Sequence, residues 1–188
     1  MTNIAIFASG SGSNAENIFN YFKNNLYIRV MLILSNKSDA FVLERAKKLG
    51  VETIVFSKTD LENGNVLLLL KEKNINLIVL AGFLLKIPSS IINAFPNKII
   101  NIHPSLLPKF GGKGMYGSKV HEEVIANAEK ESGITIHYVN EKYDEGGIIF
   151  QAKCSIDKND TPETLANKIH ILEYKHFPAV IDKVINAY

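Results

Sequence analysis

Asn101 and His103 stand two residues apart in "IINIHPSLLPKF", where an apolar run ends against a proline. On a strand, that spacing turns both side chains to one face. An amide beside an imidazole can act on a single oxygen: the amide donates to it, and an imidazolium supplies charge or a proton. Such a pair suits acyl-type transfer through a tetrahedral intermediate. A polar cap on the end of a buried strand would present the same two residues. Pro104 and Pro108 fix φ and remove two backbone donors, so the strand leaves through a stiff exit. A third group is available downstream in "YDEGG", Tyr143 to Gly147. A carboxylate at Asp144 would favour a protonated His103, although the same five residues also read as an ordinary turn.

A second constellation lies near the N-terminus. "GSGSNA", Gly10 to Ala15, fits the pattern G-x-G-x-x-A between an expected strand and an expected helix. A turn of small residues at a helix N-terminus exposes backbone N–H groups and binds an anion, commonly a phosphate. Ser11, Ser13 and Asn14 add side-chain donors, with Ser13 or Asn14 placed to cap the helix. A tight turn that only starts a helix would account for the glycines alone. A dinucleotide site would also want an acid at the end of the second strand. That end reads "LSNK", and its lysine leaves only an NADP-type reading open. A loop holding one terminal phosphate explains the serines and the asparagine better.

The remaining histidines suggest no metal. His137 falls within an expected strand, and His121, His170 and His176 fall in helical patterns. There is no H-E-x-x-H or H-x-x-x-H, and Cys154 is the only cysteine. No metal site is expected.

These residues need elements to hold them. Apolar strands are expected at Asn3–Ala8, Ile28–Ser35, Glu52–Phe56, Leu77–Ala81 and Lys98–His103, separated by helical patterns at Ala15–Lys23, Ala40–Leu49 and Asn65–Lys73 and a short helix after Pro88. Continuous apolar strands alternating with helices predict a doubly wound, mostly parallel α/β sheet with helices on both faces. Sites in such folds lie at the carboxyl ends of the strands. Gly10–Asn14, Ser35–Lys37, Gly82–Lys86 and Asn101–His103 would all gather there. The last third changes character: "SGITIHYV" and "GGIIFQAKCSI" follow one another without a helix, so they are expected to be antiparallel, and Pro162–Ile185 closes as a helix.

Composition narrows the partners. At 46% hydrophobic and 21% charged, the 188 residues are those of a soluble globular chain expected to form a single domain. Net charge is +2 and only Arg29 and Arg45 are arginines, which argues against nucleic acid. No apolar run approaches the ~20 residues that span a bilayer, so no membrane partner is expected. The start "MTNIAIFASGSGSN" has no signal-peptide pattern, and with one cysteine a cytoplasmic setting is expected.

Taken in order and spacing, "FASGSGSN", "LILSNK", "LIVLAGFLLKI", "IINIHPSLLPKF", "GITIHYV" and "YDEGGIIFQ" resemble the phosphoribosylglycinamide formyltransferases. The resemblance runs from about residue 3 to residue 180. It implies the formyltransferase fold, with a Rossmann-like N-terminal half for the ribonucleotide, a C-terminal half for the folate and an active site between. It implies the substrates 5-phosphoribosylglycinamide and 10-formyltetrahydrofolate, acting on small molecules as a monomer or homodimer. Asn101, His103 and Asp144 match the family's catalytic trio. Gly12, Ser13 and Asn14 match its phosphate loop, and Glu173 matches an acid that contacts the glycinamide. On the residues alone, a helical glutamate beside His170 would be solvated. Leu84, Leu85 and Ile87 match the wall of the pteridine pocket. Asn140, Glu141 and Tyr143, with Asp144, match the loop that closes it. Leu85 stands where many relatives carry Arg or Lys, and "GGKGMYG" differs from shorter versions in the family.

Three other functions fit parts of the pattern. Methionyl-tRNA formyltransferases share the trio but carry a C-terminal RNA-binding domain, for which no residues are expected beyond the closing helix. Formyltetrahydrofolate hydrolases use the trio with water, typically behind a regulatory domain. An NADP-binding oxidoreductase would rest on G-x-G-x-x-A alone and leaves "NIHPSLLP" unexplained.

Overall fold

The apolar runs at Thr2–Phe7, Ile28–Ser35, Leu77–Leu80 and Ile99–His103 become strands because they are too short and too uniformly apolar to make amphipathic helices, and glycine, asparagine or proline follows each within three residues. In the computed structural model, which describes residues 1–187, the elements are β1 (Thr2–Phe7), α1 (Ser13–Phe22), β2 (Ile28–Ser35), α2 (Phe41–Lys48), β3 (Glu52–Val55), α3 (Lys58–Glu62), α4 (Asn65–Glu72), β4 (Leu77–Leu80), α5 (Ser89–Ala94), β5 (Ile99–His103), α6 (Ser118–Ala126), β6 (Glu131–Tyr138), β7 (Ile148–Ser155) and α7 (Pro162–Asn186). The seven strands form one sheet in the order β3-β2-β1-β4-β5-β6-β7. The chain divides into two compact units, Met1–Ile100 and Asn101 onward.

In the first unit β1 runs parallel to both β2 and β4, and β2 runs parallel to β3. Ile4, Ala5, Ile6 and Phe7 are buried without interruption, as expected for a parallel strand covered on both faces. Phe7 packs edge to face with Phe56, which is buried, and with Phe83, which is half-buried. The strand order reverses between β1 and β4, and the segments that follow both strands carry residues singled out above. One element was not expected: α3, started by a reciprocal cap between Ser57 and Asp60.

In the second unit β6 and β7 are antiparallel, and α7 packs on both, with α6 beside it. α7 begins with a capping box between Thr161 and Thr164 and has Pro162 in its first turn, where a missing N–H costs nothing. Gly133 is required in β6: a Cβ there would stand 1.9 Å from the backbone oxygen of Ala152 across the ladder. No helix among the described residues is long and apolar enough to cross a membrane.

Candidate active site

β5 delivers Asn101 and His103 as its third and fifth residues, and the segment beyond it is tied down by a polar network. The Thr135 hydroxyl donates to the Ser105 carbonyl at 2.7 Å and accepts from the Leu107 N–H at 3.0 Å. Gln151 Nε2 donates to Thr135 Oγ1 and to the Leu107 carbonyl. Ser105 Oγ closes the turn by donating to the Lys109 carbonyl at 2.7 Å. Every partner in this network is matched, so the loop is stiffened from β6 and β7 as well as by its prolines.

That stiffness has a target. Phe110 holds a left-handed φ of 54°, and its carbonyl lies 2.7 Å from His103 Nε2, which therefore carries a proton and donates. The other ring nitrogen, Nδ1, faces Asp144 Oδ2 at 3.6 Å, an ion-pair separation longer than a direct hydrogen bond. Asp144 also sits at positive φ, 56°, and its Oδ2 accepts the Gly112 N–H at 2.9 Å. "GGKGMYG" thus enters the site through its first two residues. Gly111 packs under Leu107 so tightly that a Cβ would come within 2.4 Å of it, and Gly112 binds the carboxylate.

The charges are balanced closely. Burial pushes the His103 pKa down, and this outweighs the opposing pull of Asp144 and of the Phe110 carbonyl; His137 lowers it further. In the resting site burial thus works against the imidazolium that Asp144 favours. For Asp144, burial acts upward, but a proton on His137 Nε2, the charge of His103 and the Gly112 N–H each act to lower its pKa, which lies below the usual carboxylate value. Asp144 is an anion facing an imidazole poised to accept a proton on Nδ1.

His137 was given no role from the sequence, yet it belongs to the cluster. Its Nδ1 donates to the Tyr138 carbonyl at 2.8 Å, which leaves Nε2 as an acceptor. The Asn101 amide donates to that nitrogen at 3.1 Å. Nε2 also faces Asp144 Oδ1 at 3.7 Å. His137 thereby sets which way the Asn101 amide points. The signal was available: Gly133, Thr135 and His137 alternate with Ile134 and Ile136, which puts the hydroxyl and the imidazole on one strand face. His137→Ala is expected to lower kcat by roughly 100-fold with little change in KM. His137→Gln, which keeps an acceptor near the same point, should recover at least part of that loss; equal losses in steady-state kinetics would remove the orienting role.

Glu173 is also a correction. It is 6% exposed rather than solvated, because α7 places Ile169 and Phe177, both fully buried, one turn to either side. The i ± 4 spacing in the sequence carried that signal. His170 Nδ1 stands 2.9 Å from its carboxylate, and this hydrogen bond raises the His170 pKa against the effect of burial. His121, on α6, is buried as well, with no partner for its Nδ1 among the described residues. Burial lowers its pKa, and the charge of His170 adds to that.

In the first unit, the strand ends are stitched together by Ser9. Its N–H donates to the Gly82 carbonyl, its hydroxyl donates to Asn36 Oδ1 at 2.6 Å, and it accepts the Leu84 N–H at 3.1 Å. Gly12, at φ 76°, is the residue that starts α1, with no side-chain cap, so neither Ser13 nor Asn14 takes the capping position. A Cβ on Gly12 would lie 2.4 Å from Val42. Of the expected folate wall, Leu84 is exposed, Leu85 is half-buried and Ile87 lies in the core. In the later loop Asn140 accepts from the Lys142 N–H and donates to the Glu145 carbonyl, closing Asn140–Glu145 on itself; Glu141 and Tyr143 are exposed. No metal-binding group of His, Cys, Asp and Glu occurs among the described residues.

A mostly parallel sheet whose fifth strand presents an amide and an imidazole near a half-buried carboxylate has the form of a group-transfer domain. The chain belongs to the Formyl transferase family, whose pattern it matches over residues 2–181. It is 39% identical over 188 residues to the chloroplastic phosphoribosylglycinamide formyltransferase of Arabidopsis thaliana, covering 96% of this chain and 64% of that protein. The chain thus spans less than two thirds of that plant relative's length. Over 191 residues it is 38% identical to the phosphoribosylglycinamide formyltransferase of Bacillus subtilis, covering 98% of this chain and 95% of the relative. The crystal structure of phosphoribosylglycinamide formyltransferase from Bacillus halodurans superimposes with a TM-score of 0.89 at 38% identity, over 98% and 95% of the two chains.

Proposed function

We propose that the chain transfers the formyl group of 10-formyltetrahydrofolate to the amine of 5-phosphoribosylglycinamide, a step of purine nucleotide synthesis, in the cytoplasm. The observation that carries this reading is the meeting of Asn101, His103, His137 and Asp144 in one unit of a formyl transferase chain. The relatives named above supply the identity of the acceptor.

In this reading the amine nitrogen bonds to the formyl carbon, and the carbonyl oxygen becomes an oxyanion. The free N–H of the Asn101 amide donates to that oxygen. Negative charge growing beside His103 adds to the pull of Asp144, so the imidazole takes up a proton as the tetrahedral intermediate forms. The carbon–N10 bond then breaks. The proton lost by the amine ends on N10, with His103 and Asp144 arranging its passage, and tetrahydrofolate and formylglycinamide ribonucleotide leave. Gly12, Ser13 and Asn14 hold the ribonucleotide phosphate, and buried Glu173 takes the glycinamide end. Leu84, Leu85 and Ile87, with the loop of Asn140, Glu141, Tyr143 and Asp144, take the pteridine.

The test is to follow deformylation of 10-formyltetrahydrofolate with and without 5-phosphoribosylglycinamide. Ribonucleotide-dependent turnover is expected. Turnover at the same rate without ribonucleotide would make the chain a hydrolase instead.

A further inference from the structure

We propose that Arg45 is a positioning residue for the ribonucleotide phosphate: it fixes the Ser11 peptide from α2, so that the loop's N–H groups face away from the helices and toward the anion. This rests on the reading of Gly10–Asn14 as the phosphate loop. Three successive carbonyls of that loop are each pinned. Gly10 O accepts the Val42 N–H at 3.1 Å, Ser11 O accepts Arg45 Nε at 2.9 Å, and Gly12 O accepts the Glu16 N–H at 2.9 Å. All three peptide bonds are trans, so the N–H of each following residue points opposite to the pinned carbonyl. The N–H groups of Ser11, Gly12 and Ser13 are thereby turned away from α2 and the body of α1. Successive N–H groups presented together make an anion-binding concavity.

Of the three pins, two are backbone bonds and one is a side chain. Arg45 is held by two further contacts. Its Nη1 pairs with Glu16 in the first turn of α1, and its guanidinium lies over the Phe41 ring at 5.0 Å. The Val42 N–H at the start of α2 and the Arg45 side chain one turn on supply two of the pins from the same helix. Val42, fully buried, closes against Gly12 on the same side. The guanidinium is committed to Ser11 and Glu16, so its effect reaches the phosphate through the loop rather than by contact. A lysine offers a single point of charge and cannot hold the carbonyl and the carboxylate in one plane.

The experiment compares steady-state kinetics with 5-phosphoribosylglycinamide and with its phosphate-free riboside, in the unsubstituted chain, Arg45→Met, Arg45→Lys and Glu16→Gln. Arg45→Met is expected to raise KM for the ribonucleotide by roughly tenfold, with riboside KM, folate KM and saturating kcat changed less than about twofold. Arg45→Lys and Glu16→Gln, which keep a cation near Ser11, should raise ribonucleotide KM less than Arg45→Met does. Unchanged ribonucleotide KM in Arg45→Met overturns the inference, as does an equal rise for riboside and ribonucleotide. Should Arg45→Met not fold, Arg45→Lys with parental ribonucleotide KM overturns it on its own, because a lysine cannot hold both partners in one plane. If the unsubstituted chain itself does not distinguish riboside from ribonucleotide, the phosphate-loop reading fails first, and that result is separate from any effect of Arg45.

Discussion

Replacing Asp144 with asparagine is expected to cut turnover by roughly 100- to 10,000-fold while leaving the fold in place. The carboxylate faces two imidazoles, at 3.6 Å from His103 and 3.7 Å from His137, and is the largest influence opposing the burial of His103. Asparagine keeps an oxygen to accept from Gly112 N–H but removes the charge. The His103 pKa, already depressed by burial, then falls further, and the imidazolium becomes harder to form when the oxyanion develops. The sign is clear: activity left in Asp144→Asn should move its acid-dependent limb to lower pH. His103→Ala removes that limb altogether, with a similar loss of turnover. The check is kcat against pH for both variants, with circular dichroism and thermal melts close to the parent. Near-parental turnover in folded His103→Ala would remove the catalytic assignment.

Gly146→Ala should be nearly as damaging, although Gly146 touches no substrate in this account. A Cβ at that position would stand 1.7 Å from the Tyr138 carbonyl oxygen, which no folded chain tolerates. That same oxygen accepts His137 Nδ1, and His137 orients Asn101. Asp144 lies only two residues upstream in the loop that must shift. The expected result is a fall in kcat of about 100-fold or more together with a loss of roughly 2–3 kcal/mol of stability. Gly147→Ala, whose Cβ would meet only the Tyr138 ring edge at 3.9 Å, is the control and should be mild. Steady-state kinetics and denaturant titration of the two variants check this; equal effects would show that the backbone contact at Gly146 does not position the site.

These two glycines show where sequence reading stops. "DEGG" announces a turn, but nothing in its letters says which glycine lies against the backbone of β6. Elements were legible because hydrophobic period is a local property: β2 falls on Ile28–Ser35 as expected, and β5 ends on His103. α3 was missed because its five residues are too few to show a period, although the Ser57–Asp60 cap is visible in hindsight. That Asn101 and His103 share a strand face was legible from their spacing, and that Asp144 comes to face His103 was suggested by the family resemblance. What the sequence hid is non-local. The Phe110 carbonyl on His103 and the Gly112 N–H on Asp144 join residues 7 and 32 positions apart through backbone groups that carry no letter of their own, and the Gln151–Thr135 brace crosses between strands. Burial was misjudged for the same reason. Glu173 reads as a solvated helical acid until Ile169 and Phe177 are placed on the same face, and the lowered pKa of His103 follows chiefly from its burial.

The central claim is that the cluster around His103 moves a formyl group from folate nitrogen to an amine. The direct measurement uses 10-formyltetrahydrofolate labelled with carbon-13 in the formyl group, incubated with the chain and 5-phosphoribosylglycinamide, with carbon NMR reporting where the label goes. The label should appear as the formamide of formylglycinamide ribonucleotide, in amounts matching the tetrahydrofolate formed, and it should fail to appear with His103→Ala. Label recovered as free formate, or product formed equally well by the folded His103→Ala chain, would contradict the account.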